Sequence, residues 1–418
     1  MRVLVVGNGG REAAIGWKLK QDPRVTKIFF SKGNASTEEY GENIFEESIP
    51  ELVEFATREH IDLTIVGPEA PLVEGIVDEF KVAGLNIFGP GARAASLEGS
   101  KAFSKRFMLE NGIKTAKAKV FEVYQDAIDY VKEHSFPLVV KASGLAGGKG
   151  VVICEDLEQA EATIHDFMIR RIYGDSGIQV VIEEYLQGFE ASIICFSNGE
   201  ELFPCIPVKD YKKVGEGDTG LNTGGMGTVA PSPEFNGMHY ADFERNIMFP
   251  TVKALKKEGL GFKGFIFFGL MVTNQGCYLL EYNMRLGDPE TQVLLPLMEN
   301  KLIDVINDCL GGKAPELKFK EQKAVCVVMV SGGYPRNIEK GIEIAGVEKL
   351  DTLCLLAGAR KSGGKYLTTG GRVVNVIGTG DSYEDARKVA YDNIKKISFD
   401  YGFYRHDIGQ IVPPKTKK

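Results

Sequence analysis

Short apolar runs alternate with amphipathic stretches along the first hundred residues. The apolar runs predict strands at residues 2–6, 27–30, 62–66 and 85–88, and the amphipathic stretches predict helices at 51–59 and 72–83. Strands that alternate with helices in this way are typical of βαβ units around a parallel sheet. A longer helical pattern over 96–110 follows and is predicted to end near Gly112.

The pattern changes twice further along the chain. A small unit at about 114–186 is predicted to contain strands at 118–121, 138–141, 151–154 and 179–183, with helices at 126–133 and 157–171. Runs at 264–273 and 277–282 flank the turn Asn274-Gln275-Gly276 and predict a β-hairpin. Helices are expected around 291–309. After Gly311-Gly312 a last unit is predicted, with strands at 324–330, 353–357 and 372–377 and a closing helix at 383–396.

Composition limits the classes of function. At 418 residues the chain is too long for one core, so two to four domains are expected. The net charge of −7 gives no basic footprint for nucleic acid, and no run is apolar and long enough for a membrane span. The seven cysteines form no CxxC pair and lie mostly in apolar runs, which is typical of buried thiols in a reducing cytosol. A cytoplasmic location is therefore expected.

Three glycine-rich loops are the main candidates for ligand binding. The first, residues 7–12, lacks a dinucleotide fingerprint because Glu12 stands where the third glycine is needed. It either binds phosphate with the help of Arg11 or serves only as a tight turn. The second, residues 141–150, is not a Walker loop because Gly150 follows Lys149, but its glycines and two lysines suit a polyphosphate. The third, residues 218–227, is either functional or disordered.

An alternating polar row follows the apolar run at 279–280. Glu281, Asn283 and Arg285 would share one face of a strand, and a carboxylate beside an amide oxygen suits Mg²⁺. Arg285 would then hold a transferring phosphoryl group. The alternative is the solvent face of an edge strand. Asp288 and Pro289 are expected as the cap and the first residue of the next helix.

Together the motifs resemble the glycinamide ribonucleotide synthetase family of the ATP-grasp superfamily over the whole chain. The segments that carry the resemblance are GNGGRE at 7–12, GPEAPLVEGIVD at 67–78, LEGSKAFSKRFM at 97–108, VVKASGLAGGKGVV at 139–152, DTGLNTGGMG at 218–227, RLGDPETQ at 285–292, TTGGRVVNV at 368–376 and YRHDIG at 404–409. The chain departs from the family's pattern at Tyr211, where the family often has His, and around Leu356–Ala359.

The resemblance implies an α/β (α+β multidomain) ATP-grasp fold. Its expected parts are a parallel-sheet N-terminal domain at 1–100, an ATP-grasp domain at 101–320 with a mobile lid at about 114–186, and a small C-terminal domain at 321–418. The implied ATP-binding residues are Lys105, Lys141, Gly147, Gly148, Lys149, Glu183, Glu184, Leu186 and Glu190, with Glu183 to Leu186 as the adenine hinge. Glu281 and Asn283 are the implied ligands of magnesium or manganese.

The resemblance also implies the reaction and the remaining site residues. Glycine would be joined to 5-phosphoribosylamine through glycyl phosphate, with ATP as the phosphoryl donor. The implied catalytic residues are Arg285, Lys141 and Asp288. The implied substrate-binding residues are Gly9, Gly10, Arg11, Glu69, Asp210, Lys212, Asn222, Gly224, Lys365 and Arg372. A monomer or weak homodimer is expected. The alternatives are an ATP-grasp ribonucleotide carboxylase or formyltransferase, or a non-catalytic nucleotide sensor.

Overall fold

The N-terminal region folds around a parallel sheet of five strands in the order β3-β2-β1-β4-β5. The structure is a computed structural model that describes residues 1–147 and 149–411. The strands are β1 (Arg2–Gly7), β2 (Lys27–Lys32), β3 (Glu42–Ile44), β4 (Leu63–Val66) and β5 (Ile87–Phe88). The helices are α1 (Gly10–Lys20), α2 (Thr37–Tyr40), α3 (Ile49–Arg58), α4 (Glu69–Val73) and α5 (Ile76–Val82). The predicted parallel sheet is confirmed.

Two predicted helices are each interrupted. The stretch predicted at 72–83 breaks at Gly75, whose φ of +96° only glycine adopts readily. The stretch predicted at 96–110 is α6 (Ala92–Gly99) followed by α7 (Lys101–Glu110). Ser100 is extended between them, and its hydroxyl accepts a hydrogen bond from the N–H of Phe103 at 3.2 Å. A hydroxyl cap of this kind starts a new helix in a new direction.

The predicted lid is an antiparallel sheet in the order β6-β9-β7-β8 with two helices. Its elements are β6 (Ala118–Phe121), α8 (Tyr124–Lys132), β7 (Leu138–Ala142), β8 (Val151–Cys154), α9 (Leu157–Met168) and β9 (Val180–Glu184). Its apolar side chains form a separate core cluster, drawn from residues 121–182. The second glycine loop joins β7 to β8, because Lys141 pairs with Val151 across these strands. The mobility of the lid stays a prediction.

The remaining elements build the body and the C-terminal region. The strands are β10 (Phe189–Asn198), β11 (Leu202–Pro204), β12 (Lys209–Asp210), β13 (Lys213–Gly215), β14 (Thr219–Asn222), β15 (Gly227–Ala230), β16 (Lys263–Thr273), β17 (Gly276–Asn283), β18 (Lys323–Val330), β19 (Glu343–Ile344), β20 (Leu353–Leu356), β21 (Ala359–Ser362), β22 (Lys365–Thr368) and β23 (Arg372–Gly380). The helices are α10 (Gly237–Phe243), α11 (Phe249–Lys257), α12 (Thr291–Leu297), α13 (Leu302–Leu310) and α14 (Tyr383–Ile394).

These strands form two main sheets, and one of them crosses a predicted boundary. The body sheet has the order β11-β10-β16-β17, which confirms the predicted hairpin of β16 and β17. The other has the order β12-β15-β18-β23-β20, so two strands before residue 320 belong to the same sheet as C-terminal strands, and β15 pairs directly with β18. Residues Thr219–Asn222 of the third glycine loop form β14, which pairs with β13 as a hairpin. One apolar cluster spans the N-terminal region, the body and the C-terminal region, and includes Val5, Ile194 and Val327.

Glu12 explains why the first loop is rich in glycine. Its carboxylate accepts hydrogen bonds from the N–H of Gly9 and from Nε of Arg11, each at 2.6 Å. A Cβ at Gly7 or Gly9 of the loop would lie 2.8 Å from this side chain, and a Cβ at Gly67, after β4, would lie 1.7 Å from Glu12 Oε1. A buried carboxylate therefore occupies the place that a dinucleotide loop leaves to a glycine. In the part of the chain that the structure describes, no helix is long and apolar enough to cross a membrane.

Gly67→Ala is expected to destabilise the protein by about 1–3 kcal/mol, because the added methyl group must displace a carboxylate that two hydrogen bonds hold in place. Chemical denaturation measures this change. Gly237→Ala is the matched control, because its Cβ would have no neighbour within 4 Å. Equal stability of the two variants would contradict this account of the loop.

Candidate active site

Two cavities meet at the junction of the lid, the body and the terminal regions. The first is a cleft of about 440 Å³ between the lid and the body, and the second is a cavity of about 560 Å³ between the N-terminal and C-terminal regions. Both are bordered by Asp288 and Arg372. The predicted site residues that border the cleft are Arg11, Glu69, Lys105, Lys141, Gly147, Glu183, Glu190, Asp210, Lys212, Asn222, Gly224, Glu281, Asn283, Arg285, Asp288 and Arg372. Gly9 borders the second cavity.

Five predicted residues border neither cavity. They are Gly10, Lys149, Glu184, Leu186 and Lys365, and Gly148 lies outside the described residues. Gly10 packs against the C-terminal region, since a Cβ there would lie 2.6 Å from the amide nitrogens of Gln292 and Asn375. Lys365 forms an exposed ion pair with Glu343 at 2.6 Å. The structure therefore does not bring Lys365 to either cavity, whereas Arg360 and Arg372 of the C-terminal region border the second one.

A buried carboxylate joins the two lysines predicted to hold phosphates. Glu183 lies 3.0 Å from Nζ of Lys105 and 2.8 Å from Nζ of Lys141, and all three side chains are less than a tenth exposed. Burial raises the pKa of Glu183, but the two ammonium groups outweigh it and the net pKa is lowered. Glu183 is thus the ionised counter-ion of the lysines. The position of Glu183 at an adenine hinge stays a prediction.

The polar row at the end of β17 faces the cleft. Gly269 pairs with Glu281 and Leu270 with Leu279, so a bulge at Leu280 precedes the row. β17 is an edge strand, but Glu281 and Asn283 are half-buried and border the cleft, so the solvent-face alternative is wrong. Burial raises the pKa of Glu281, but nearby Lys212, Lys101 and Lys141 outweigh this effect, so the net pKa is lowered.

The oxygen atoms of this row fit a hard divalent cation. No cluster of three or more His, Cys, Asp or Glu side chains suited to a metal exists among residues 1–147 and 149–411. A site with one carboxylate and one amide oxygen suits Mg²⁺, which usually keeps water and substrate phosphates as its other ligands. The Oδ1 atom of Asn283 accepts a hydrogen bond from Arg285 at 3.3 Å, which orients the amide oxygen.

Arg285 is held by carboxylates from two helices. Its Nη2 lies 2.8 Å from Glu98 on α6, and its Nε lies 3.4 Å from Glu69 on α4. Glu98 also accepts the N–H of Met284 at 2.6 Å, which fixes the chain beside the metal row. Burial lowers the pKa of Arg285, but these carboxylates outweigh it and raise the pKa above its ordinary value. The guanidinium therefore stays charged and is fixed at the cleft.

Asp288 connects three parts of the chain. Its Oδ1 atom accepts a hydrogen bond from Gln292 at 2.7 Å and lies 3.4 Å from Nη2 of Arg372, and its Oδ2 accepts the N–H of Arg11 at 3.4 Å. Burial raises its pKa, but Arg372 and Arg11 outweigh this and the net pKa is lowered. The predicted cap was wrong, because α12 begins at Thr291 after Glu290. The Asp288 carboxylate instead lies at the N-terminus of α1.

Three family models match consecutive parts of the chain. They are described as the N domain, the ATP-grasp (A) domain and the C domain of phosphoribosylglycinamide synthetase, and they match residues 1–98, 99–291 and 324–411. The chain belongs to the phosphoribosylglycinamide synthetase family. The resemblance seen in the sequence motifs is thereby confirmed, and so is the ATP-grasp fold.

Relatives within this family match over nearly the full length. A protein of Fusobacterium nucleatum named phosphoribosylamine–glycine ligase is 48% identical, with 99% of each chain covered. One of the same name from Clostridium acetobutylicum is 47% identical, covering 98% of this chain and all of the relative. A crystal structure of phosphoribosylamine–glycine ligase from Thermotoga maritima superposes with a TM-score of 0.86 at 36% identity, covering 97% and 100%. A biotin carboxylase of Campylobacter jejuni shares the fold, with a TM-score of 0.74 at 14% identity, covering 96% and 92%.

Sequence reasoning missed three charged residues at the cleft of this family member: Glu98, Lys101 and Glu290. Lys101 precedes Lys105 by four positions, so the two lie on one face of α7, and this spacing was the available signal. Glu98 and Glu290 are almost fully buried. No local pattern identified them, because their partners lie far away in the sequence.

Asp210 is a cleft carboxylate whose pKa is raised above its ordinary value. Its Oδ2 lies 3.3 Å from Nζ of Lys212, while its buried Oδ1 has no hydrogen-bond partner among the described residues. Burial raises the pKa of Asp210 to about 7, with Glu290 and Glu190 adding to the rise and Lys212 and Arg372 opposing it. Asp210 therefore exchanges its proton near neutral pH.

Asp210→Asn is expected to stabilise the protein more at pH 8 than at pH 5. The folded protein holds the proton on Asp210 more tightly than the unfolded chain, so wild-type stability falls as the pH rises from 3.8 to about 7. Asparagine has the same shape and does not titrate. The melting-temperature difference from wild type should rise by about 2 °C or more between these pH values. Asp175→Asn, at a side chain that is 91% exposed, is the control and should show no such change.

Proposed function

We propose that the protein joins glycine to 5-phosphoribosylamine, with ATP cleaved to ADP and phosphate and glycinamide ribonucleotide as product. The observation that carries the proposal is that a lysine-rich cleft and a second polar cavity share the Asp288–Arg372 pair. A ligase of this kind needs two substrate sites that open to each other at one point. The names of the full-length relatives, phosphoribosylamine–glycine ligase, support this assignment.

In this proposal the cleft binds ATP. Lys105 and Lys141 contact the phosphates together with Lys101, and the second glycine loop, with Gly147 and Lys149, covers them. Glu190 contacts the ribose. Glu281 and Asn283 would hold magnesium or manganese, which neutralises phosphate charge when bound. The lid separates the reacting groups from water, which protects an acyl phosphate from hydrolysis.

The chemistry then follows in two steps. A carboxylate oxygen of glycine attacks the γ-phosphorus, the bond to the β-phosphate oxygen breaks, and ADP leaves. Lys141 and Arg285 offset the negative charge that spreads over the transferring group, which is the main demand of phosphoryl transfer. The amine of phosphoribosylamine next attacks the acyl carbon, and phosphate leaves with the bonding electrons. Asp288 orients that amine at the point where the two cavities meet.

The second cavity is the proposed site for the phosphoribosyl group. Its lining combines Gly9 of the first loop with Arg360 and Arg372 of the C-terminal region. Lys32 also borders it, although Nζ of Lys32 is paired with Glu47 at 2.6 Å. Guanidinium groups bind phosphate oxygens through paired hydrogen bonds. We therefore assign phosphate binding to Arg360 and Arg372 and not to Lys365.

The protein is further proposed to work in the cytoplasm, as a monomer or weak homodimer. All seven cysteines are free, and six of them are buried, which supports a reducing compartment. The Arg372–Asp288 pair and the cleft are completed within one chain, which supports an active monomer.

ADP release in a coupled assay tests the proposed function. Release should require ATP, glycine and 5-phosphoribosylamine together, and mass spectrometry should detect glycinamide ribonucleotide. Bicarbonate and formate replace glycine in the control reactions and should support no release. Release with bicarbonate or formate would favour the alternative, a ribonucleotide carboxylase or formyltransferase. ATP binding without any turnover would favour a nucleotide sensor.

Glu281→Gln is expected to raise the magnesium concentration needed for half-maximal activity by about tenfold or more, because the charged ligand is replaced by a neutral one. A magnesium titration at saturating ATP measures the shift. Glu343→Gln removes an exposed carboxylate of the three-stranded sheet and should leave the titration unchanged. The same midpoint in both variants would remove Glu281 from the metal site.

A further inference from the structure

The segment Tyr404–Gly409 forms hydrogen bonds to the β13–β14 hairpin, which includes part of the third glycine loop. Arg405 is buried, and its Nη1 donates hydrogen bonds to the carbonyl oxygen of Lys213 at 2.8 Å and to Asp218 at 2.9 Å. Its Nε and Nη2 donate to the carboxylate of Asp407 at 2.8 and 2.6 Å. Asp407 in turn accepts the N–H of Gly217 at 2.9 Å. One arginine–aspartate pair thus connects strand β13 to the turn of the β13–β14 hairpin.

The same segment also contacts Tyr211, which lies between β12 and the hairpin. The guanidinium of Arg405 lies 5.2 Å from the centre of the Tyr211 ring, and the Tyr211 hydroxyl accepts the N–H of Gly409 at 3.2 Å. Tyr211 stands between Asp210 and Lys212, which both border the cleft. The contact with Tyr211 therefore holds these two charged side chains at the cleft.

The far end of the hairpin is held by the C-terminal region as well. The N–H of Gly224 donates to the hydroxyl of Tyr334 at 3.0 Å, and the carbonyl oxygen of Gly224 accepts from Nη1 of Arg372 at 2.5 Å. Between these anchors, Asn222, Thr223 and Gly224 form part of the cleft wall.

The hairpin has little packing of its own to keep it in place. Residues 216–221 are exposed, including Leu221 at 42%. Gly217 and Gly220 have positive φ values, and glycine loses the most conformational freedom on ordering. The turn is therefore restrained by the hydrogen bonds to Arg405 and Asp407, together with the contact of Nδ1 of His406 with Glu216 at 2.8 Å.

We infer that Arg405 and Asp407 are positioning residues that fix the β13–β14 hairpin and, through it, the wall of the active site beside Asp288. This inference rests on the proposed function. Gly224 contacts Arg372, which pairs with Asp288. Lys105 and Lys141, by contrast, are paired with Glu183 of the lid. Loss of the restraint therefore acts on the binding of phosphoribosylamine and glycine and leaves ATP binding nearly unchanged.

Arg405→Lys is the first test, because lysine keeps the charge but cannot form the forked pair. The KM values for phosphoribosylamine and glycine should rise by about tenfold to a hundredfold, while the KM for ATP stays within about twofold. Asp407→Asn should produce the same separation of KM values. Arg170→Lys is the matched control, because Arg170 forms an exposed pair with Asp166 on the lid.

Amide hydrogen exchange provides a readout that does not depend on turnover. In Arg405→Lys, the amides of 215–224 should exchange at least about tenfold faster, while those of the lid sheet keep the wild-type rate. Unchanged KM values, or an equal loss for all three substrates together with faster exchange throughout the chain, would overturn the inference. If wild-type protein releases no ADP with glycine and phosphoribosylamine, the proposed function fails. Unchanged amide exchange at 215–224 in Arg405→Lys would separately refute the restraint.

Discussion

The ion pair of Asp288 with Arg372 is the contact on which the arrangement of this protein depends. It joins the end of the body to β23, and the same carboxylate accepts the N–H of Arg11 in the first turn of α1. A carboxylate withdrawn from water needs such partners, since a charge left alone in this environment costs several kcal/mol. The three regions must therefore dock before Asp288 is satisfied, and docking also brings the two cavities together. The docking of the three regions therefore also assembles the site.

The cleft balances its charges within itself. Seven cationic and eight acidic side chains border it among the described residues, so its lining offers a polyphosphate no excess of positive charge. Glu183 between two lysines and Arg285 between Glu98 and Glu69 are the clearest cases. Such pairs keep the lysines and arginines in fixed positions without a ligand. In the proposed function a nucleotide enters together with a divalent cation and so adds less net charge than the nucleotide alone, and the proposed metal ligands Glu281 and Asn283 border the same cleft as these lysines.

The C-terminal region is more closely tied to the cleft than its place in the chain suggests. Strands β12 and β15 pair within the C-terminal sheet, and Arg405 reaches back to the hairpin between them. Tyr211 takes part in this connection, because its ring and its hydroxyl both contact the segment Tyr404–Gly409. The wall of the cleft opposite the lid is therefore part of the C-terminal unit, and the lid keeps a core of its own.

Short-range patterns in the sequence were enough to predict most helices and strands and the kinds of side chain at the site. Period-two and helical patterns depend on neighbouring residues, so the parallel sheet, the lid and the β16–β17 hairpin were predictable, and the motif residues bordering the cleft were recognisable. Contacts in the folded protein were needed to show that Glu183 neutralises two lysines, that Lys365 lies at the surface and that Asp288 pairs with Arg372. These outcomes depend on contacts between residues far apart in the chain. Burial and charge pairing set their energies, and neither is encoded in the spacing of adjacent residues.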